Sequence, residues 1–171
     1  MQDMQFMDTV AFATHKMSTT GIFLNVGGEQ PNTMTVAWGS FGFFWSKPVI
    51  TLVVRPQRHT HPMLIDAQEF TISIPYGAMT EELKFAGTAS GRDVDKFQGH
   101  GLTAAPARLV SAPIVAECEL HYECKVRLMQ SMTSDRMDTQ LSSAIYPTRD
   151  FHTLFFGEVV ACYASGAIPG R

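Results

Sequence analysis

The residues most able to do chemistry are gathered between positions 32 and 60, in NTMTVAWGSFGFFWSKPVITLVVRPQRHT. Asn32, Thr33 and Thr35 offer side-chain donors, and a turn over residues 36–39 offers backbone N–H groups. Trp38 and Trp45 each supply flat apolar area with one polar N–H handle. Arg55 closes an apolar run, and Arg58 and Thr60 follow where a helix should begin. An arginine beside a helix N-terminus meets the needs of an anion, phosphate above all. A planar ring held between tryptophan and strand, with a phosphate tail on arginine, describes a nucleotide-like ligand. The plainer alternative stays open on these residues alone: a buried strand with solvated arginines at its end.

Two further clusters invite the same question. In SGRDVDKF, residues 90–97, Ser90 and Gly91 can form a tight anion-facing turn and Lys96 can supply a point charge. A solvated loop is the competing reading. In DFHTLFFGEVV, residues 150–160, His152 stands just ahead of an apolar strand, where a histidine is usually a structural hydrogen-bonder. His59 and His61 flank one another without further ligands at metal spacing, so no metal site is expected. Dinucleotide, P-loop, zinc-protease and nucleophile-elbow signatures are all missing from the sequence. The 3 cysteines form neither a CxxC pair nor an even disulfide set. Buried reduced thiols in a cytoplasmic protein are expected, with Cys118 and Cys124 sharing one face of an extended strand.

These side chains need strands to position them. Residues 21–26, 33–38, 49–54, 70–74, 114–128 and 153–162 read as strands, the third a continuous β-branched run suited to burial on both faces. Within 114–128, Val115, Glu117, Glu119, His121 and Glu123 fall on one side and Ala116, Cys118, Leu120, Tyr122 and Cys124 on the other. Gly157 marks a bulge or a close approach. Helices are expected over residues 60–67 and 80–86, with a helical turn at 139–145. Short strands without βαβ alternation predict a closed or nearly closed antiparallel barrel.

Composition sets the outer bounds. The 171 residues suit one domain, 1–171, with 45% hydrophobic residues for a core. The charged share of 17% lies below the usual ~25%, which suggests surface covered by another subunit. A formal charge of −3 gives no polyanion footprint, so no nucleic-acid partner is expected. No apolar stretch reaches the ~20 residues of a membrane helix, and the opening MQDMQFMDTV has no basic n-region, so neither a membrane span nor a secretion signal is expected.

The segments NTMTVAWG, KPV with its β-run into VRPQRHT, EFTISIP, SGRDVDKF, APIVAEC and DFHTLFFGEVV occur in an order that resembles the flavin reductase-like, FMN-binding split-barrel family. The YPTRDFHT segment, residues 146–153, is similar to the flavoredoxin-like branch. The resemblance spans residues 21–163. It implies a mainly β fold, a six-stranded antiparallel Greek-key split barrel with a few short helices, forming a homodimer with FMN near the interface. It further implies that Asn32, Thr33, Met34, Thr35, Val36, Ala37 and Trp38 line the flavin ring, that Arg55, Arg58 and Thr60 hold the phosphate, and that Ser90, Gly91 and Lys96 close over the cofactor. His152 matches the histidine near the nicotinamide position. The implied activity is hydride transfer from NAD(P)H to flavin N5. Alternatives are a flavoredoxin-like carrier reduced by a redox partner protein and a non-catalytic flavin-binding module. One departure is Ala37, where the branch usually shows serine, so any side-chain contact from that position is in doubt.

Overall fold

The computed structural model describes residues 1–169, so residues 170–171 of the expected single domain lie outside the described residues. In chain order the elements are β1 (Gln2–Asp3), α1 (Phe6–Thr19), β2 (Ile22–Val26), β3 (Asn32–Val36), β4 (Gly39–Phe44), β5 (Lys47–Val54), α2 (Thr60–Ala67), β6 (Glu69–Ile74), α3 (Thr80–Thr88), β7 (Ala104–Ala105), β8 (Ile114–Val115), β9 (Leu120–Ser131), α4 (Thr139–Ile145) and β10 (Thr153–Ala164). An eight-stranded sheet runs β3-β2-β6-β9-β10-β5-β4, with β1 added to β10. Every pairing in it is antiparallel. The short β7 and β8 pair only with each other.

Alternation along the strands builds the core. Ile22, Leu24 and Val26 of β2 meet Ile50, Leu52 and Val54 of β5, Phe70, Ile72 and Ile74 of β6, and Tyr122 and Phe155. β2 is buried along its whole length. Its other face carries Phe23 into a second cluster with Leu83 and Ala86 of α3 and with Leu102, Val115 and Cys118. α3 is thereby fixed across β3, which is what brings its C-terminal end to the anion-facing residues.

The mainly β antiparallel barrel expected from the sequence is the fold observed, with more strands than the six anticipated. The stretch around Gly39 and Gly42, outside the strands expected from the sequence, is β4. Its first glycine allows close passage, because a Cβ on Gly39 would overlap the Thr51 carbonyl oxygen. β4 turns into β5 through Trp45 and Ser46, both with positive φ, 52° and 58°. That is the left-handed pair a tight hairpin requires, built here without glycine. The single strand expected over 114–128 is divided: β8 ends at Val115, and β9 begins only at Leu120. Cys118 therefore lies off the strand, and its N–H turns back to the Val115 carbonyl at 3.1 Å. Gly157 fulfils both expectations. The β9–β10 register shifts between Phe156 and Gly157, and a Cβ there would run into the Phe70 ring. No helix among the described residues is long and apolar enough to cross a membrane.

Candidate functional site

The turn from β5 into α2, the C-terminal end of α3 and the loop after it enclose a cavity of about 330 Å³. Asn32, Met34, Arg58, Thr60, Ser90, Gly91 and Lys96, all singled out in the sequence, line it. Asn32 opens β3 and donates through Nδ2 to Thr60 Oγ1 at 2.8 Å, tying the strand to the first residue of α2. Gly91 is required by crowding. A Cβ there would overlap Asn32 Oδ1 and stand 2.7 Å from His59 Cδ2. Arg58 donates to the Gly87 carbonyl at 3.3 Å and Arg92 to the Gln57 carbonyl at 3.1 Å. Each guanidinium is steadied by one carbonyl and keeps further N–H donors for a ligand.

Lys96 is only 3% exposed and spends two of its N–H donors on backbone, at Thr33 O (2.9 Å) and Ala86 O (2.8 Å). Burial, with Arg58 adding to it, lowers its pKa to about 8. His59 is lowered by burial and then by Arg92 and Lys96. No acidic residue is among the described residues lining this cavity. It is a cationic recess with hydroxyl and amide donors, suited to an anion.

Met34 and Arg58 also line a second cavity of about 200 Å³, so the two adjoin as one groove. Thr35, Val36, Ala37, Trp38, Arg55 and His152 surround this second part, with Val53 and Val54 of β5. Trp38 is half exposed, and its ring centroid lies 5.3 Å from that of His152. Thr35 commits its hydroxyl to the Leu83 carbonyl at 2.5 Å, leaving backbone rather than side chain to face the slot. Arg55 is held from behind, donating to Ile145 O at 3.0 Å and lying 5.1 Å over the Tyr146 ring. His152 is buried, with Nδ1 2.7 Å from the Tyr146 hydroxyl. Burial and then Arg55 lower its pKa to about 4, against the opposing pull of Asp150, so the ring is neutral near pH 7.

The structure therefore brings together, on the two halves of this groove, the residues expected to hold the cofactor and His152, with Thr33 the exception; Trp45, also singled out in the sequence, lines neither half. The Thr33 side chain is fully buried away from both cavities, and the residue contributes its carbonyl to Lys96. Arg55 and Arg58, grouped in the sequence, are divided: Arg55 lines only the ring-shaped slot, and Arg92 joins Arg58 in the anion recess. Arg92, His59 and Tyr146 were not assigned roles from sequence. Arg92 sits inside the SGRDVDKF stretch, and Tyr146 six residues before His152, so both carried a local signal. No group of three metal-ligating side chains occurs among the described residues.

An apolar surface runs uncovered from Trp38 at the slot to the far end of the β4–β5 hairpin. Trp38, Phe43, Phe44 and Trp45 are all exposed, and β4 has β5 as its only neighbour in the sheet.

Several known proteins are similar to this chain. An uncharacterized protein of Pyrococcus abyssi is 30% identical over 146 residues, covering 84% of this chain and 72% of the relative. The chain spans 66% to 72% of the length of the curated relatives it matches. Among solved structures, flavoredoxin of Desulfovibrio vulgaris (Miyazaki F) superposes with a TM-score of 0.67 at 27% identity, over 85% of this chain and 70% of that one. An FMN-binding protein from Thermus thermophilus, with bound p-hydroxybenzaldehyde, gives 0.69 at 25% identity, over 89% and 75%. A protein with a split barrel domain from Shewanella frigidimarina NCIMB 400 shares the fold at 0.69 and 19% identity, over 91% and 73%. Residues 14–170 match the model of the flavin reductase like domain, and the chain belongs to that family.

Proposed function

We propose that the groove binds FMN and that the protein is an oxidoreductase using NAD(P)H as hydride donor. The observation that carries this reading is the joining of a cationic recess to a flat apolar slot through Met34 and Arg58. The donor set fits the group: the recess has Arg58, Arg92, Lys96 and Thr60 and no carboxylate, and Gly91 leaves open the space a Cβ would fill. The similarity to a flavoredoxin and to an FMN-binding protein supports the same choice.

Bound there, FMN would supply two-electron chemistry, taking hydride at N5 and passing electrons onward. Arg58 and Arg92 hold the phosphate, with the Thr60 and Ser90 hydroxyls beside them. Trp38 would pack against the ring, and backbone N–H groups of residues 35–38, which line the slot, would serve its polar edge. The Lys96 ammonium keeps the recess cationic by fixing the Thr33 and Ala86 carbonyls, which would otherwise confront the anion. His152 offers an uncharged hydrogen-bonding group to the nicotinamide and transfers no proton. Trp38 is exposed at the slot, and a second copy of the chain covering it would exclude water from the ring. The unpaired cysteines suit a reducing, cytoplasmic setting.

A second reading, an electron carrier reduced by a partner protein, is favoured by the likeness to flavoredoxin. Rapid NAD(P)H oxidation with added flavin supports the reductase; slow turnover with tightly held yellow cofactor supports the carrier. The primary test is titration of the apo-protein with FMN. Arg58→Ala and Arg92→Ala should each weaken binding by roughly 10- to 100-fold, the cost of one charge-assisted phosphate contact. Wild-type affinity in both variants, or a protein that stays colourless with excess FMN, would overturn the assignment.

A further inference from the structure

The Tyr146 hydroxyl stands 2.7 Å from Nδ1 of His152 and 3.4 Å from the sulfur of Met132. A phenol has one proton and cannot donate to both. An imidazole nitrogen is a far stronger acceptor than a thioether, so the proton goes to Nδ1. Tyr146 cannot easily swing away. It is 6% exposed, its ring lies 4.8 Å from Phe151 and 5.1 Å beneath the Arg55 guanidinium, and its N–H is bound to Ser142 O at 2.9 Å.

A neutral imidazole that accepts at Nδ1 must carry its hydrogen on Nε2. Among the described residues no partner is bonded to Nε2, and His152 lines the slot. The Arg55 and Arg58 guanidinium groups near it disfavour the imidazolium.

We infer that Tyr146 is a positioning residue: its hydroxyl locks His152 as the Nε2–H tautomer, giving the slot an uncharged donor that selects a planar molecule bearing a carbonyl or carboxamide oxygen. Position 146 lies outside the lining of either cavity; its ring supports Arg55, and its hydroxyl, the part that Tyr146→Phe removes, reaches the slot through His152. The selectivity rests on the reading of the slot as the flavin and nicotinamide site; the tautomer does not.

The test is a two-bond ¹H–¹⁵N spectrum of the full chain with ¹⁵N-labelled histidine at pH 7, without FMN. The His152 pattern, assigned by its loss in His152→Gln, should be that of Nε2–H. An Nδ1–H or averaged pattern overturns the proposal, and this measurement requires no variant at Tyr146. Tyr146→Phe should average the tautomers while leaving the FMN dissociation constant within about 2-fold. With FMN bound, the same variant should raise KM for NADH about 3- to 10-fold, the range of one neutral hydrogen bond. An unchanged KM overturns the selecting role. A chain that shows Nε2–H but binds no FMN sinks the cofactor reading instead, so the two failures are distinct.

Discussion

The same side-chain types meet at two places in this molecule, with opposite outcomes. At one, Glu123, His121, Tyr163 and Arg108 gather on β9, β10 and the loop before β8; at the other, Asp150, His152, Tyr146 and Arg55 gather beside the slot. In both, an arginine lies over a tyrosine ring, at 3.9 Å for Arg108 and 5.1 Å for Arg55. In both, burial lowers a histidine pKa to about 4. The difference is completeness. Glu123 accepts from Arg108 N (2.7 Å), Leu109 N (2.6 Å), Val110 N (3.1 Å) and Tyr163 Oη (2.8 Å). His121 uses both nitrogens, on Ser73 Oγ at 3.0 Å and Cys118 O at 2.9 Å. At the slot, Asp150 Oδ2 has no hydrogen bond among the described residues, its Arg55 contact being 3.8 Å, and His152 uses one nitrogen. A closed polar network fastens a loop to the barrel; an open one beside a cavity keeps donors for something else.

The largest effect should therefore come from Glu123. Glu123→Ala strands the donors it serves inside the protein and should destabilise by about 3–5 kcal/mol. Asp150→Ala, whose long ion pair with Arg55 is partly solvated, should cost about 1 kcal/mol or less. Urea unfolding of both variants decides the matter. Equal losses would mean that the slot cluster is as structural as the sealed one.

Protonation probes both clusters together. Free histidine has its ordinary value of 6.5, and both buried rings are held near 4, so the unfolded chain binds more protons between those limits. The stability from keeping the rings neutral is complete above pH 6.5 and is lost as pH falls toward 4, roughly 2 kcal/mol apiece by pH 5. Denaturation at pH 7.5 and pH 5 measures the sum, and His121→Gln and His152→Gln apportion it. A stability that does not fall between those conditions would show that neither ring is held neutral.

How these clusters looked in the sequence explains what could be read there. Residues 49–54, a continuous β-branched run, and residues 70–74, which alternate strictly, became β5 and β6 because such local patterns survive most tertiary contexts. The anion recess was legible because Arg58 and Thr60 sit in the turn that assembles it, with Asn32 joined to them across 28 residues by its bond to Thr60. The sealed cluster was not legible. His121 and Glu123 alternate as a surface-facing pair would, and only the return of residues 108–115 over them makes them interior. α1 was also missed: Phe6, Ala13 and Met17 face the core, but Thr9 occupies the same stripe and is buried because Tyr122 Oη donates to it at 2.6 Å. Arg55 lines the slot and Arg92 the recess for a similar reason, since what holds Arg55 is Ile145 O, 90 residues away.

The finest distinction concerns Thr33, where backbone and side chain part company. Its carbonyl holds Lys96 in the anion recess, while its hydroxyl is fully buried and has no partner among the described residues. Its cross-strand neighbour Asn25 leaves Oδ1 in the same condition. Thr33→Val keeps the β-branched shape and the carbonyl but removes the stranded hydroxyl, so it should be neutral or stabilising by up to about 1 kcal/mol. FMN affinity should stay within about 2-fold, because the backbone does the work for the recess. A loss of about 1 kcal/mol or more would mean instead that an internal water joins Thr33 Oγ1 to Asn25 Oδ1, making this corner of β2 and β3 a completed network like that around Glu123.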